Sequence, residues 1–454
     1  MQNYIQFINH ASVAISNGNK TILTDPWYSG GAFDDGWSLI YNNDENKIKQ
    51  ILSNVDFIWI SHEHPDHFSI KFFNEYYDLI KEKKIKFIFQ KTKDQRVSKF
   101  LKFKDFQVFE LEDNQSFMID TNFEIKIHKS DFYDSALIIN LNGKKIFNLN
   151  DCPMNSSADL EKFKKIYGSC DFLLTQFSYA AWKGGKKNIK WRQIAANEKL
   201  ETLIKQSNIL ETKYLIPFAS YIYFSDHYNF YLNDSVNTPD RVLKIKNNIN
   251  SKILFFRPYE KISLNGNEIK TEGYKFWQEK FNEINEKKLN NNENYKIYDF
   301  DILKKKFEVY RKDLFLKNSL SICRILSKVK FLKIFLPIIV KLKDIDKVVK
   351  IDVLQGEIEL SKLNPDIEMN TKSLYLIFDQ GYGFDALTVN GCFEELNQDG
   401  FIKMTQSLAL GNLNNIGVYL NYSVIFNFKI IFLFLKKIFS LKKKINYNYI
   451  QTLE

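Results

Sequence analysis

Cysteine is scarce and scattered in this 454-residue chain: four residues, at positions 152, 170, 323 and 392, with neither a CxxC nor a Cys-x-His pair. That excludes a disulfide scaffold and a cysteine-rich zinc or iron–sulfur site, and it fits a reducing compartment. Glycine (17) and proline (8) are also few, against 40 Phe and 24 Tyr, which excludes a disordered chain. The start, Met1-Gln2-Asn3-Tyr4-Ile5-Gln6-Phe7, lacks the charged lead and apolar run of a signal peptide, so a cytoplasmic protein is expected. No uninterrupted membrane span is present either. In the tail, Ile416–Leu435 is broken by Asn421, Asn427 and Lys429, and a lysine at the centre of a span costs on the order of 3 kcal/mol. An interfacial or buried helix with a basic end is expected there, with peripheral membrane contact through residues 416–445.

What is abundant is positive charge, 64 Lys and Arg against 54 Asp and Glu. A net charge of +10 points to an anionic partner, such as a phosphorylated small molecule or a membrane surface, with a plain solvated lysine surface as the alternative. No nucleic-acid-binding motif accompanies the charge, so no nucleic-acid partner is expected.

Histidine is used sparingly, and half of it stands in one loop. Of six histidines, three fall in Ser61-His62-Glu63-His64-Pro65-Asp66-His67. The apolar run Val55–Ile60 before this loop reads as a buried strand, and Ser69 after it caps a helix with apolar residues at helical spacing. Three imidazoles and a carboxylate crowded between two rigid elements are best explained by a cation, because neutral imidazole and carboxylate are ligands for Zn²⁺ or Fe. His128 and His227 follow strand-like runs. Each taken alone is equally well a satisfied core or loop histidine.

His62, His64, Asp66 and His67, then His128, Asp151 and His227, in that order, resemble the metallo-β-lactamase superfamily. The resemblance implies an αββα sandwich and two metal ions. One would be held by His62, His64 and His128, the other by Asp66, His67 and His227, with Asp151 bridging them. It also implies that Asp66 and Asp151 are the catalytic carboxylates and that Asp25 supports the metal loop from behind. His10 lies near the site or simply packs. Asp134, at a strand start, is expected only to form a turn.

A narrower resemblance lies in Asp25-Pro26-Trp27-Tyr28-Ser29-Gly30-Gly31-Ala32-Phe33-Asp34-Asp35-Gly36-Trp37, the metal loop, Asp151-Cys152, Pro217–Tyr221 and Phe255–Pro258. Together these stretches are similar to the catalytic domain of the CMP-N-acetylneuraminate hydroxylase family. That implies O₂-dependent hydroxylation of a nucleotide-activated or N-acylated sugar. The family's Rieske domain has no counterpart here, so no iron–sulfur cluster is expected and a separate Rieske-type protein would supply electrons. The alternative is a hydrolase of a phosphodiester, lactone or amide on the same two divalent ions, iron or zinc. Candidate substrate contacts are Trp37 in the aromatic loop, Lys183 and Lys186 in Trp182-Lys183-Gly184-Gly185-Lys186-Lys187, and Arg257 before Pro258.

Alternating strand-like runs over residues 4–264, with a helix at 191–207, support an α/β sandwich covering residues 1–270. Residues 271–349 read as a charged, mostly helical linker region that contains the Asn-rich run Asn290–Asn294. Residues 350–454 read as a small α+β module, similar to sterol-carrier folds, with Ser373–Phe378 as one of its strands and the apolar-basic tail at its end.

Overall fold

The computed structural model describes residues 3–130, 134–266, 269–287, 296–329, 332–415 and 417–422. The Asn-rich run 290–294 and most of the tail 416–445 lie outside them. The chain divides into two units. The first comprises residues 1–180, 194–223 and 235–287, and the second comprises 181–193, 224–234 and 288–454.

Two seven-stranded sheets organise the first unit. In spatial order the first runs Lys261–Ser263, Tyr4–Asn9, Ser12–Ser16, Thr21–Thr24, Phe57–Trp59, Lys86–Gln90, Val108–Leu111. The second runs Lys252–Ile253, Tyr214–Phe218, Phe172–Gln176, Lys144–Asn150, Ser135–Leu141, Phe123–Lys129, Ser116–Asp120. Each sheet is part antiparallel and part parallel.

The pleat sorts the side chains of the first sheet by alternation. Ile5, Phe7, Val13, Ile15, Phe57 and Trp59 enter a core shared with Phe123, Ile125, Ile127 and Leu137 of the second sheet. Ile8, Ala14, Leu23, Ile58 and Phe87 face the other way, onto Ile48, Leu52, Phe72, Ile80 and Leu101 of the covering helices. Helix, sheet, sheet and helix therefore stack as the αββα sandwich. The helix expected after Ser69 is broken in two, Ile70–Glu75 and Tyr77–Glu82, and Ser69 Oγ caps the first by accepting from the Phe72 amide at 3.3 Å. The helix expected at 191–207 runs Ile189–Ile209.

Direction in the sheets builds the site. Tyr4–Asn9 and Thr21–Thr24 each pair antiparallel with the strand between them, and Thr21–Thr24 pairs parallel with Phe57–Trp59. The ends of these three strands therefore open on one edge, where His10, Asp25 and the loop from Ser61 follow. In the second sheet Lys144–Asn150 ends at Asp151, and its antiparallel neighbour begins at Ser135, just after Asp134.

The second unit carries a five-stranded sheet in the order Glu357–Leu360, Lys347–Asp352, Ile338–Leu342, Ile367–Met369, Phe393–Glu395, with helices between. Ser373–Phe378, expected as a strand, lies in the helix Thr371–Asp379, whose start is fixed by Asn370 Oδ1 accepting from the Ser373 amide at 2.6 Å. Within 271–349, expected to be mostly helical, Ile338–Leu342 is a strand, because it pairs on both sides. Among the described residues no helix is long and apolar enough to cross a membrane.

Candidate metal centre

The loop from Ser61 to His67 is pinned by its neighbours before any ligand is considered. Asp25 Oδ1 accepts from the Ser61 amide at 2.7 Å, and the Ser61 carbonyl accepts from Ser135 Oγ at 2.6 Å and Gln90 Nε2 at 3.3 Å. Ser135 belongs to the second sheet, so both sheets hold the loop. The His64 carbonyl accepts from the His67 and Phe68 amides at 2.9 and 2.7 Å, which closes the turn.

Two groups of ligating atoms result, each within 4.8 Å: His62, His67 and Asp151, and His10, Asp66 and His67. His67 Nε2 stands 3.1 Å from Asp66 Oδ2 and 3.4 Å from Asp151 Oδ2. His67 Nδ1 faces Asp25 Oδ2 at 3.2 Å. Bonding to Asp25 through Nδ1–H leaves Nε2 free to ligate, the arrangement that orients metal-bound imidazoles. Asn150 Nδ2 donates to Asp25 Oδ2, and to Ser61 Oγ at 2.9 Å. His62 Nε2 and His64 Nδ1 face each other at 2.9 Å, and Asp134 Oδ1 is 3.9 Å from His62 Nε2.

These donors fit divalent cations of the zinc or iron type. Asp66 Oδ1, Asp151 Oδ1 and His10 Nδ1 are buried without a hydrogen-bond partner. Orphaned polar atoms cost roughly 1–3 kcal/mol each, and ligation would relieve those that face an ion.

The electrostatics of the bare cluster point the same way. Burial holds the His62 imidazole well below its usual range. His67 is also buried, yet the Asp66 and Asp151 charges hold its imidazole well above the usual range. Burial likewise opposes ionisation of Asp66, but the His67 charge and the bonds from His10 and His67 keep it well below. Burial, then the Asp151 charge, pushes Asp134 up to about 8. Protons and imidazolium charge occupy places a cation would otherwise fill.

Some residues singled out in the sequence belong to neither group. His128 is in neither group. Alternation with the buried Ile125 and Ile127 turns it to the other face of its strand, where its ring meets Phe163 at 5.0 Å and Tyr167 at 5.6 Å on the helix Ser157–Tyr167. His227 lies in the second unit, edge-on to Tyr228 at 5.6 Å. Trp37 is buried against Phe33 at 4.5 Å, and Phe33 in turn meets the His64 ring at 5.5 Å. Arg257 lies over Phe276, with Glu272 3.7 Å away. Lys183 and Lys186 belong to the second unit. There the Lys186 amide donates to Glu394 Oε1 at 3.0 Å, and the Gly184, Gly185 and Lys186 carbonyls accept from the buried Arg192. The polar groups of that loop are thus largely engaged within the fold.

Three residues contribute more to this edge than their sequence context implies. Asp134 is no mere turn former, since its carboxylate faces His62. His10 joins Asp66. Lys199, on the helix Ile189–Ile209, donates to Gln176 Oε1. Asn150 pairs with Thr175, so Gln176 stands beside Asp151 at the sheet edge. Burial lowers the Lys199 ammonium pKa, while the Asp151 and Asp134 charges raise it. A single lysine inside a long helix with polar neighbours gives no such signal in sequence.

Residues 4–143 match the family described as a beta-lactamase superfamily domain, and the sandwich with its metal loop is the metallo-β-lactamase fold. Within that class the chain is similar to the cytidine monophosphate-N-acetylneuraminic acid hydroxylases. It is 26% identical over 241 residues to the one from Xenopus laevis, covering 48% of this chain and 38% of that protein. It is 25% identical over 278 residues to the inactive human one, covering 56% and 52%. The chain thus spans about half or less of the length of these relatives. A solved structure, CmlA, a diiron β-hydroxylase from Streptomyces venezuelae, aligns with a TM-score of 0.42 and 14% identity over 58% of this chain and 54% of that one.

Proposed function

We propose that the chain is a metal-dependent enzyme with a dinuclear centre on the loop Ser61–His67. Its reaction is O₂-dependent hydroxylation of a nucleotide-activated or N-acylated sugar, with electrons from a separate Rieske-type protein. The observation that carries this reading is the pair of buried donor groups that share His67. Two ions held there supply O₂ activation if they are iron, or an activated water if they are zinc.

The residues divide the work. His62, His64 and His67 offer imidazole nitrogen, and Asp66, Asp134 and Asp151 offer carboxylate oxygen. Asp151, beside His67 Nε2, is the carboxylate best placed to serve both groups. Asp25, bonded to His67 Nδ1 and the Ser61 amide, fixes the ring and the loop. Lys199 brings an ammonium to the Asp151 edge, suited to an anionic substrate group. The four cysteines are buried and far apart in sequence, and we assign the iron–sulfur relay to a Rieske-type partner.

Hydrolysis of a phosphodiester, lactone or amide is the second reading, favoured by the mixed nitrogen and oxygen donors that suit zinc equally well. Labelled oxygen separates the two. Given a CMP-sialic acid and O₂, the protein should be nearly inert until a reductant or Rieske-type donor is added, and the product should then carry one atom from ¹⁸O₂. Turnover without a donor, with oxygen from H₂¹⁸O, overturns the hydroxylase reading and leaves the hydrolase.

A further inference from the structure

We propose that His10 is a ligand of the second metal ion, together with Asp66 and His67. The inference rests on the dinuclear reading above and deepens it by giving His10, which that reading leaves without a role, a place among the ligands. His10 occupies the turn between Tyr4–Asn9 and Ser12–Ser16, well apart in sequence from the metal loop. Its Nε2 stands 3.3 Å from Asp66 Oδ2, the oxygen that His67 Nε2 approaches at 3.1 Å. Two imidazole nitrogens therefore converge on one carboxylate oxygen, while Asp66 Oδ1 is buried without a partner. The ligand atoms of His10, Asp66 and His67 all lie within 4.8 Å of one another, so the three residues could together hold an ion.

The backbone holds His10 there at a cost. Its φ is +40°, a left-handed conformation that a residue with a Cβ adopts only with strain of order 1–3 kcal/mol. The His10 amide donates to Asn9 Oδ1 at 2.9 Å, and its carbonyl accepts from the Ala219 amide at 2.9 Å, so both ends of the residue are fixed. The ring is buried and stands edge-on to Trp27 at 5.5 Å. If His10 served only to fill space, glycine or asparagine would satisfy the turn more cheaply.

The competing role is a hydrogen bond from His10 that merely orients Asp66. Two substitutions whose terminal atoms reach the place of the His10 Nε2 separate them. His10→Gln can still donate to Asp66 through its amide nitrogen but is a poor ligand. His10→Glu can ligate through a carboxylate oxygen but, ionised, cannot donate. Metal per chain would be measured by elemental analysis after dialysis, with circular dichroism to check folding and the Co²⁺ absorption spectrum to report coordination. A ligand predicts two ions in the wild type and in His10→Glu, one in His10→Gln, and a Co²⁺ spectrum altered in both variants. Two ions in His10→Gln with an unchanged spectrum, or loss of an ion in His10→Glu alone, overturns the inference while the dinuclear reading stands. A wild type that holds no metal overturns both.

Discussion

Stripping the metal should make the protein sensitive to alkali, and Asp134 sets the size of the effect. Its carboxyl is pushed up to about 8 by burial and by the Asp151 charge, against about 3.9 in an unfolded chain. A carboxyl whose folded pKa is raised binds its proton more tightly in the folded state. The stability this gives is full below about pH 4 and is lost as pH rises towards 8. Between pH 6 and pH 8 the loss from Asp134 alone is about 2 kcal/mol, or roughly 5 °C in Tm for a domain of this size. His67 acts in the same direction, since an imidazole held above its usual range contributes stability below pH 6.5 that fades as pH rises through the folded value. Asp66, held low, contributes throughout this window and only weakens in acid. The assay is calorimetry at pH 6, 7 and 8 on chelated and metal-loaded protein, with Asp134→Asn beside the wild type. The chelated wild type should lose Tm with pH, the loaded protein should not, and the Asn variant should keep a shallower slope. A chelated protein with a flat or rising Tm, or an Asn variant with the full slope, would refute the assignment of Asp134 to the cluster.

Two further substitutions test the remaining framework. Asp151→Asn keeps the size and removes a charge beside His67 Nε2, so bound metal and turnover should both fall; full metal content would show that Asp151 does not ligate. In the second unit, Arg192→Lys keeps the charge but removes the fork that pairs with Asp234 at 2.6 Å and donates to three loop carbonyls, and it should cost about 1–3 kcal/mol in denaturant unfolding. A loss under 1 kcal/mol would mean the loop holds itself.

What the sequence made legible was local. The loop His62–His67 packs three imidazoles and a carboxylate into six residues, so its spacing alone pointed to a candidate metal site. The strands on either side were equally plain, because Lys86–Gln90 and Ser135–Leu141 are short apolar runs between polar turns. His10 and Asp134 could not be weighed in the same way. They reach the site because parallel strand ends and an antiparallel strand start share one sheet edge, and pairing across 50 to 70 residues has no signature in composition. His128 shows the converse. It stands in the strand that was expected, but a single step of the pleat and the unexpected helix Ser157–Tyr167 decide which face its ring takes. Ser373–Phe378 reads as a strand from its aromatic and apolar content, and one side-chain cap from Asn370 starts a helix instead.

Strain and charge at the sheet edge belong to a single design. His10, Asp25, Asn150 and Ala219 stand at or just after the ends of four strands, and all four have positive φ, at 40°, 36°, 51° and 51°. Such conformations persist only where neighbours over-determine them. Here Asp25 accepts from the Ser61 amide, Asn150 donates to Asp25, and the Ala219 amide donates to His10. The same residues gather Asp25, Asp66, Asp134 and Asp151 around three buried imidazoles. Without a cation the cluster is tolerable only when protons are kept on His67 and Asp134. On the proposed metal reading, cations replacing those protons would turn the cost of assembling the carboxylates into binding energy, so metal uptake and folding of this edge would be linked, with protons released as the ions enter.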